Sequence, residues 1–239
     1  MDRLTRKELK SDKFAQEVQH SVQFVSGHRD QIREQALRWG APALALLLIV
    51  AGVFYYRNYQ HEARQEALHA AMRIQNSTVG PSQGEYVVTF PTNEARKTAV
   101  TKSWREMAAK YPATTEEGRI AEYYLGTNAA DDGNLAEAEK HFKASIDSGN
   151  GPYASLGKLA LAQVYAGDGR VKEGAQLLQS VIDHPTVLVS KETATLELAE
   201  LLKNTDRQRA RKLVEPLRTS TRGAVSRAAI TLDSDLSKQ

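Results

Sequence analysis

The sequence predicts an all-α fold: an N-terminal amphipathic helix, a single transmembrane helix, and then an α-solenoid of helical hairpins. Three observations lead to this prediction. An uncharged apolar run lies between Arg38 and Arg57. From Glu94 onward, segments of helical character about 12 to 18 residues long alternate with Gly, Pro, Asn or Asp breaks. Short phrases within these segments recur every 36 or 37 residues.

Composition excludes several classes of protein. Of the 239 residues, 41% are hydrophobic and 26% are charged, as in ordinary folded proteins. Residues 1–38 carry 8 Lys and Arg against 6 Asp and Glu, and residues 57–239 carry 24 against 23. Because neither part has the one-signed surface typical of nucleic-acid binding, we expect no nucleic-acid partner. The absence of cysteine excludes disulfides, cysteine metal sites and a thiol nucleophile.

The first 38 residues form a charged tail with apolar residues at helical spacing. Phe14, Val18 and Val22 lie four residues apart, and the pattern extends over residues 12–37. This spacing predicts an amphipathic helix leading to the apolar run. Such a helix either lies on the lipid surface or binds a partner, and the sequence leaves both open.

Residues 39–56 form the predicted transmembrane helix. At a rise of about 1.5 Å per residue the run spans roughly 27 Å, enough to cross the apolar core of a bilayer. Pro42 falls in the first turn, where its missing N–H costs little. Trp39 at one end and Tyr55 and Tyr56 at the other match the aromatic belts of membrane helices. The alternatives are a buried core helix, which rarely lacks charge over this length, and a signal peptide, for which the preceding tail is long.

The orientation of this helix depends on the tail. The twenty residues on each side of the run hold three Lys or Arg apiece, so the local signal is balanced. The tail adds five further basic residues, and long domains cross membranes largely regardless of their charge. We therefore expect residues 1–38 on the cytoplasmic side and the rest of the chain beyond the membrane.

Residues 57–92 are predicted to form a helical extension and an insertion loop. Alanines at helical spacing over residues 59–75 indicate that the membrane helix continues into water. A break follows from Asn76 to Asn93, rich in Gly and Pro. Within it, residues 86–90 have strand propensity, but no partner strand is apparent, so we assign them to the loop.

Residues 93–239 are predicted to form the repeat domain. Equivalent phrases, 36 and 37 residues apart, begin at Leu125-Gly126, Leu161-Ala162 and Leu198-Ala199. A second set, spaced by 36 residues, comprises Ala138-x3-Phe142, Gly174-x3-Leu178 and Ala210-x3-Val214. The small residues permit two antiparallel helices to approach closely, and the large ones fill the space between successive pairs. Stacked pairs then bury a continuous core that no pair could bury alone.

These phrases resemble the tetratricopeptide repeat, whose pattern runs L-G-x2-Y, then A-x3-F, then a closing Pro at a period near 34. Trp104-x2-Met107-x4-Pro112 resembles the end of a preceding repeat, which the extension helix would complete. The chain departs from the pattern in the tryptophan position, where it has Glu122, Lys158 and Thr195, and in its longer period.

The order of the parts is similar to that of the ancillary SecYEG translocon subunit family (YfgM-like). The stretch Tyr55-Tyr56-Arg57-Asn58-Tyr59-Gln60 belongs to this similarity. The resemblance implies a single-pass protein of the bacterial inner membrane with a periplasmic repeat domain. It also implies a protein-binding scaffold that assists exported proteins at the translocon or with periplasmic chaperones. The alternative is an envelope-assembly scaffold for outer-membrane or cell-wall machinery, which differs in partner rather than in physics.

The first helix of each predicted pair lines a groove in which repeat proteins commonly bind peptides. The inward positions are Tyr123, Thr127, Leu159, Gln163, Leu196, Glu200 and Lys203. Packing between repeats is the competing interpretation for Tyr123, Leu159 and Leu196.

The motifs that would indicate an enzyme lack their structural context. Gly80-Pro81-Ser82-Gln83-Gly84 matches G-x-S-x-G, but no strand is predicted to enter it, so a hydrolase using Ser82 is the least favoured alternative. His61-Glu62 begins a zinc-binding H-E-x-x-H string, but Gln65 occupies the position of the second ligand. We therefore expect no catalytic residue, no metal and no cofactor.

Overall fold

The computed structural model describes residues 36–81, 84, 87–147, 149 and 151–238. The predicted amphipathic helix of residues 12–37 falls almost wholly outside this part of the chain, as does Ser82. The chain divides between Glu62 and Ala63 into two compact units. The prediction of an all-α fold is confirmed for the described residues, which are almost entirely helical.

In the first unit, a short π-helical stretch, Ala36–Gly40, precedes a long helix, α1, Ala41–Gln75, which continues past the unit boundary. Pro42 is the second residue of α1 and follows directly after the π-helical stretch. Among the described residues, this is the one helix long and apolar enough to cross a membrane, with a mean hydropathy of 1.8 in its most apolar window.

The apolar side chains of α1 are not covered by the rest of the described chain. Leu46 is 64% exposed, Ile49 62% and Phe54 74%, and none of the most apolar window is buried. An exposed apolar surface of this size marks a membrane or partner contact rather than an internal core. Within the part of the chain that the structure describes, the apolar run of α1 is therefore not a buried core helix.

The second unit begins with the last turns of α1, which pack against α2, Asn93–Lys110. Ala71 of α1 shares a buried cluster with Val100, Trp104 and Met107 of α2. The indole N–H of Trp104 donates to Gln75 Oε1 at 2.8 Å. These contacts make residues 63–75 part of the helical domain.

A two-residue parallel bridge closes the insertion between these helices. Strand β1, Thr78–Val79, pairs with β2, Thr89–Phe90. The expectation that the segment of residues 86–90 has no partner strand was wrong for its last two residues. Their partner, β1, lies just after the end of α1 within the same break. A strand of two residues is too short to show the alternation of apolar and polar side chains by which strands are predicted.

The remaining helices follow one another with short connections. They are α3 Glu116–Asp131, α4 Leu135–Asp147, α5 Pro152–Gly167, α6 Val171–Asp183, α7 Lys191–Leu202, α8 Arg207–Val214 and α9 Gly223–Ser237. A 3₁₀ turn, Glu215–Thr219, separates α8 from α9, with Pro216 as its second residue. From α2 to α9 each helix packs against the next, and α3 also contacts α5 as α5 contacts α7.

The ends of α3 and α5 have the same backbone geometry, 36 residues apart. The N–H of Gly133 donates to Ala130 O and that of Asn134 to Ala129 O; likewise Gly169 donates to Ala166 O and Arg170 to Tyr165 O. Both glycines have positive φ, 72° and 73°, as the Schellman helix end requires. The chain therefore reverses direction in the same way after both helices.

The recurring residues occupy equivalent buried positions. Leu125, Leu161 and Leu198 are at most 5% exposed in α3, α5 and α7. Their counterparts in α4, α6 and α8 are buried too: Ala138, Phe142, Gly174, Leu178, Ala210 and Val214. The core thus runs along the unit from helix to helix, and Ala229, Leu232 and Leu236 of α9 close its end.

Candidate protein-binding groove

The seven residues predicted to line a groove lie on three neighbouring helices. Tyr123 and Thr127 belong to α3, and Leu159 and Gln163 belong to α5. Leu196 and Glu200 belong to α7, and Lys203 is its C-terminal cap residue. Because α5 contacts both α3 and α7, the seven residues lie on one continuous set of helices.

At the α3 end of this set of helices, aromatic side chains form a cluster. The ring of Tyr123 meets those of Tyr124 and Tyr153 edge-on, with centroids 5.4 Å and 5.7 Å away. Tyr124 in turn stacks on Trp104 of α2 at 4.5 Å. Trp104 is fully buried, whereas the three tyrosines are half-buried, so their rings have both packed and accessible faces. Tyr124 and Tyr153 extend this surface beyond the predicted residues.

Tyr123 and Tyr124 remain neutral over the physiological range. Burial, together with the neighbouring Tyr153 and Tyr123, raises the pKa of Tyr124 to about 12. Burial also raises the pKa of Tyr123, although its contact with Thr127 opposes the shift. The hydroxyl of Thr127 donates to Tyr123 O at 3.0 Å, so this hydrogen bond lies within α3.

In the middle of the set, Leu159 and Leu196 are half-buried. Both pack against the core cluster that contains Leu178 and Leu198. Their contacts are those of packing between helices, as the competing interpretation of these two positions holds. Any ligand would meet only their exposed edges.

Gln163, Glu200 and Lys203 converge on a cavity of about 330 Å³ between α5, α6 and α7. Its floor includes the buried side chains of Ala162 and Leu178. The structure thus brings together three of the seven predicted residues around a recess with an apolar floor and a polar rim.

Glu197 completes the rim and was missed by the sequence prediction. The Gln163 amide donates to Glu197 Oε2 at 3.3 Å, and Lys203 pairs with Glu200. Glu197 lies one turn before Glu200 on α7, so helical spacing could have indicated it. With two carboxylates and one ammonium, the rim has an acidic excess.

A larger cavity, about 810 Å³, contains none of the predicted residues. It lies between the first turns of α6 and α8, where Lys172, Glu173, Asp206 and Arg209 line it. These charges alternate in sign, and Glu173 is already paired with Arg170. The smaller cavity is therefore the better candidate for a peptide side chain, since three of the predicted groove residues line it.

Glu122 is the residue that the sequence comparison predicts at the tryptophan position of the tetratricopeptide pattern. Its carboxylate lies 2.7 Å from Nδ1 of His141 on α4, and both side chains are largely buried. Glu122 and His141 thus make a polar contact between α3 and α4. Glu137 lies 3.7 Å from the other ring nitrogen, but the described residues contain no His, Asp and Glu group able to hold a metal ion.

The chain was compared with protein-family models, curated proteins and solved structures, and no match was found in any of the three comparisons.

Proposed function

We propose that this chain is a membrane-anchored protein-binding scaffold of the bacterial inner membrane. In this proposal α1 spans the membrane, the tail of residues 1–38 is cytoplasmic, and the helical domain is a periplasmic tetratricopeptide-like solenoid. Its groove binds segments of other proteins, assisting exported chains at the translocon or together with periplasmic chaperones.

The observation that carries this proposal is the repetition of structure along the second unit. The Schellman ends at Gly133 and Gly169, and the buried leucines of α3, α5 and α7, recur at the period found in the sequence. Helix pairs repeated in this way expose the first helix of each pair on one side, where repeat proteins bind peptides. The recess at Gln163 lies between two such helices and the helix that joins them.

The membrane part of the proposal is supported by α1. Its apolar side chains have no cover among the described residues, which would be costly in water for a surface of this size. Arg38 and Arg57 bracket the run, as cationic residues do at membrane interfaces.

Photo-crosslinking in membranes tests the groove. A photoreactive amino acid replaces Tyr123 or Gln163 in the full chain, and Gln176, an exposed residue of α6, provides the control position. We expect protein adducts from positions 123 and 163 and few from 176. Translocon subunits, chaperones or exported chains among the adducts would support the proposal. Envelope-assembly proteins would favour the alternative scaffold, and equal labelling at all three positions would contradict a binding groove.

A further inference from the structure

Cationic side chains concentrate near the C-terminal end of the second unit. Residues 207–227, here called the basic cap, contain seven Arg or Lys and one Glu, a formal charge of +6. The rest of the unit, residues 63–206 and 228–239, contains 16 Arg or Lys against 21 Asp or Glu. The balanced total charge of the domain therefore hides a strongly basic segment at one end.

The fold gathers part of this charge around a single acidic side chain. Arg211 of α8 and Arg218 of the 3₁₀ turn both reach Asp233, at 3.9 Å and 3.1 Å. One carboxylate between two guanidinium groups leaves a net positive charge at this point. Both arginines keep at least half of their side-chain surface exposed, so an external anion could still reach them.

Further cations of the basic cap are open to solvent. Arg222 pairs with Glu192 at 3.5 Å, and its side chain remains 60% exposed. Arg209, Lys212 and Arg227 are exposed, and they form no ion pair with any residue that the structure describes. The cap thus presents more positive charge than Glu215 and the neighbouring Asp233 and Glu192 neutralise.

We propose that the basic cap docks on anionic lipid headgroups of the membrane that holds the chain. This inference rests on the proposed anchoring by α1. Only residues 57–62 separate the apolar run from Ala63, so anchoring by α1 tethers the helical domain to the membrane. A short tether raises the effective concentration of the lipid surface around the cap. Clusters of Arg and Lys beside a membrane bind anionic headgroups by electrostatic attraction.

The composition of the cap favours lipid over nucleic acid. Residues 207–227 contain no aromatic side chain on which a base could stack. Among the described residues, the cap also has no largely exposed Leu, Ile, Val or aromatic side chain. The contact should therefore be an electrostatic one at headgroup depth, sensitive to salt.

Energy transfer to the bilayer surface tests this proposal. The chain contains no cysteine, so Gln208→Cys in α8 provides a single site for a donor dye. The full chain is reconstituted into vesicles of phosphatidylcholine alone or with about 30% phosphatidylglycerol, each with a headgroup-linked acceptor. We expect higher transfer efficiency in the anionic vesicles, and a fall to the neutral value at about 1 M salt, where the Debye length is about 3 Å.

Two sets of substitutions distinguish docking by the basic cap from a general effect of positive charge on the domain. Arg209→Gln, Lys212→Gln and Arg227→Gln together should reduce transfer in anionic vesicles to the neutral value. The matched control removes three exposed cations of α2, Lys102→Gln, Arg105→Gln and Lys110→Gln, and should leave transfer unchanged.

Flotation of the same vesicles distinguishes this proposal from the anchoring on which it rests. A chain that floats with neutral vesicles but shows equal transfer in both compositions would overturn lipid docking and leave anchoring intact. A chain that fails to float would overturn both. Transfer that follows protein density rather than lipid charge would assign the cap to a second copy of the chain and would likewise overturn the proposal.

Discussion

At position 118, in the first turn of α3, the fold leaves no room for a side chain. A Cβ added there would lie 2.2 Å from the backbone oxygen of Pro112, which cannot rotate away. We expect Gly118→Ala to destabilise the domain by about 3 kcal/mol or more, since the connection between α2 and α3 must move. Urea unfolding followed by circular dichroism measures the change.

Gly167 provides the control for this substitution. It is the last residue of α5, and apart from its chain neighbours and its own helix no atom lies within 4 Å of a Cβ built there. Gly167→Ala should change stability by no more than about 1 kcal/mol, since alanine is the better helix former. Equal losses of stability in the two variants would contradict the close approach between position 118 and the backbone of Pro112.

Alkaline pH should destabilise the domain through Tyr124. Its pKa is about 12 in the folded chain, above the ordinary value of 10.0, because burial disfavours the phenolate. The unfolded chain therefore releases this proton first, and the associated stability is lost as pH rises from about 10 to about 12. Thermal melts over this range should fall less steeply for Tyr124→Phe than for the unchanged protein. Parallel curves would contradict burial of the hydroxyl.

At the scale of the elements, one arginine fastens the end of α1 to α2. The Arg96 guanidinium donates from Nε to Ser77 O at 2.7 Å and from Nη2 to Gln75 O at 2.8 Å. These carbonyls belong to the end of α1 and the residues after it, where helical partners are lacking. Within the second unit, Arg96 thereby connects the end of α1 with α2.

Loss of these two hydrogen bonds should destabilise the contact between the end of α1 and α2. We expect Arg96→Gln to cost about 1 to 3 kcal/mol, because it leaves partly buried carbonyls without a charged donor. Hydrogen exchange should accelerate at residues 74–79 more than in α5. Lys97→Gln, which changes the adjacent exposed cation, is the control and should leave exchange at residues 74–79 unchanged.

The sequence predicted most helices because the breaks carry strong local signals. Gly133 and Gly169 supply the left-handed residue at the ends of α3 and α5, and Pro152 begins α5. The β1–β2 bridge and the hydrogen bonds of Arg96 were not predictable. They depend on pairs of residues separated by 11 and about 20 positions, which no local pattern records.

The candidate groove was predictable only in part, for the same reason. Repeat spacing identified Gln163, Glu200 and Lys203, which the fold brings to one recess. It did not identify Glu197, whose role depends on a hydrogen bond across two helices. Nor did it indicate that Glu122 pairs with His141, because 19 residues separate them.

At the scale of the whole molecule, the proposed anchoring by α1 requires the tail and the helical domain to lie on opposite sides of one membrane. Single cysteines at Ser26 in the tail and at Val187, which is 91% exposed in the connection between α6 and α7, report the two sides. The most direct measurement is labelling of Ser26→Cys and Val187→Cys in intact spheroplasts with a membrane-impermeant maleimide. We predict that Val187→Cys is labelled at once and Ser26→Cys only after lysis. Labelling of both positions from the same side, or recovery of the chain without membranes, would contradict the account.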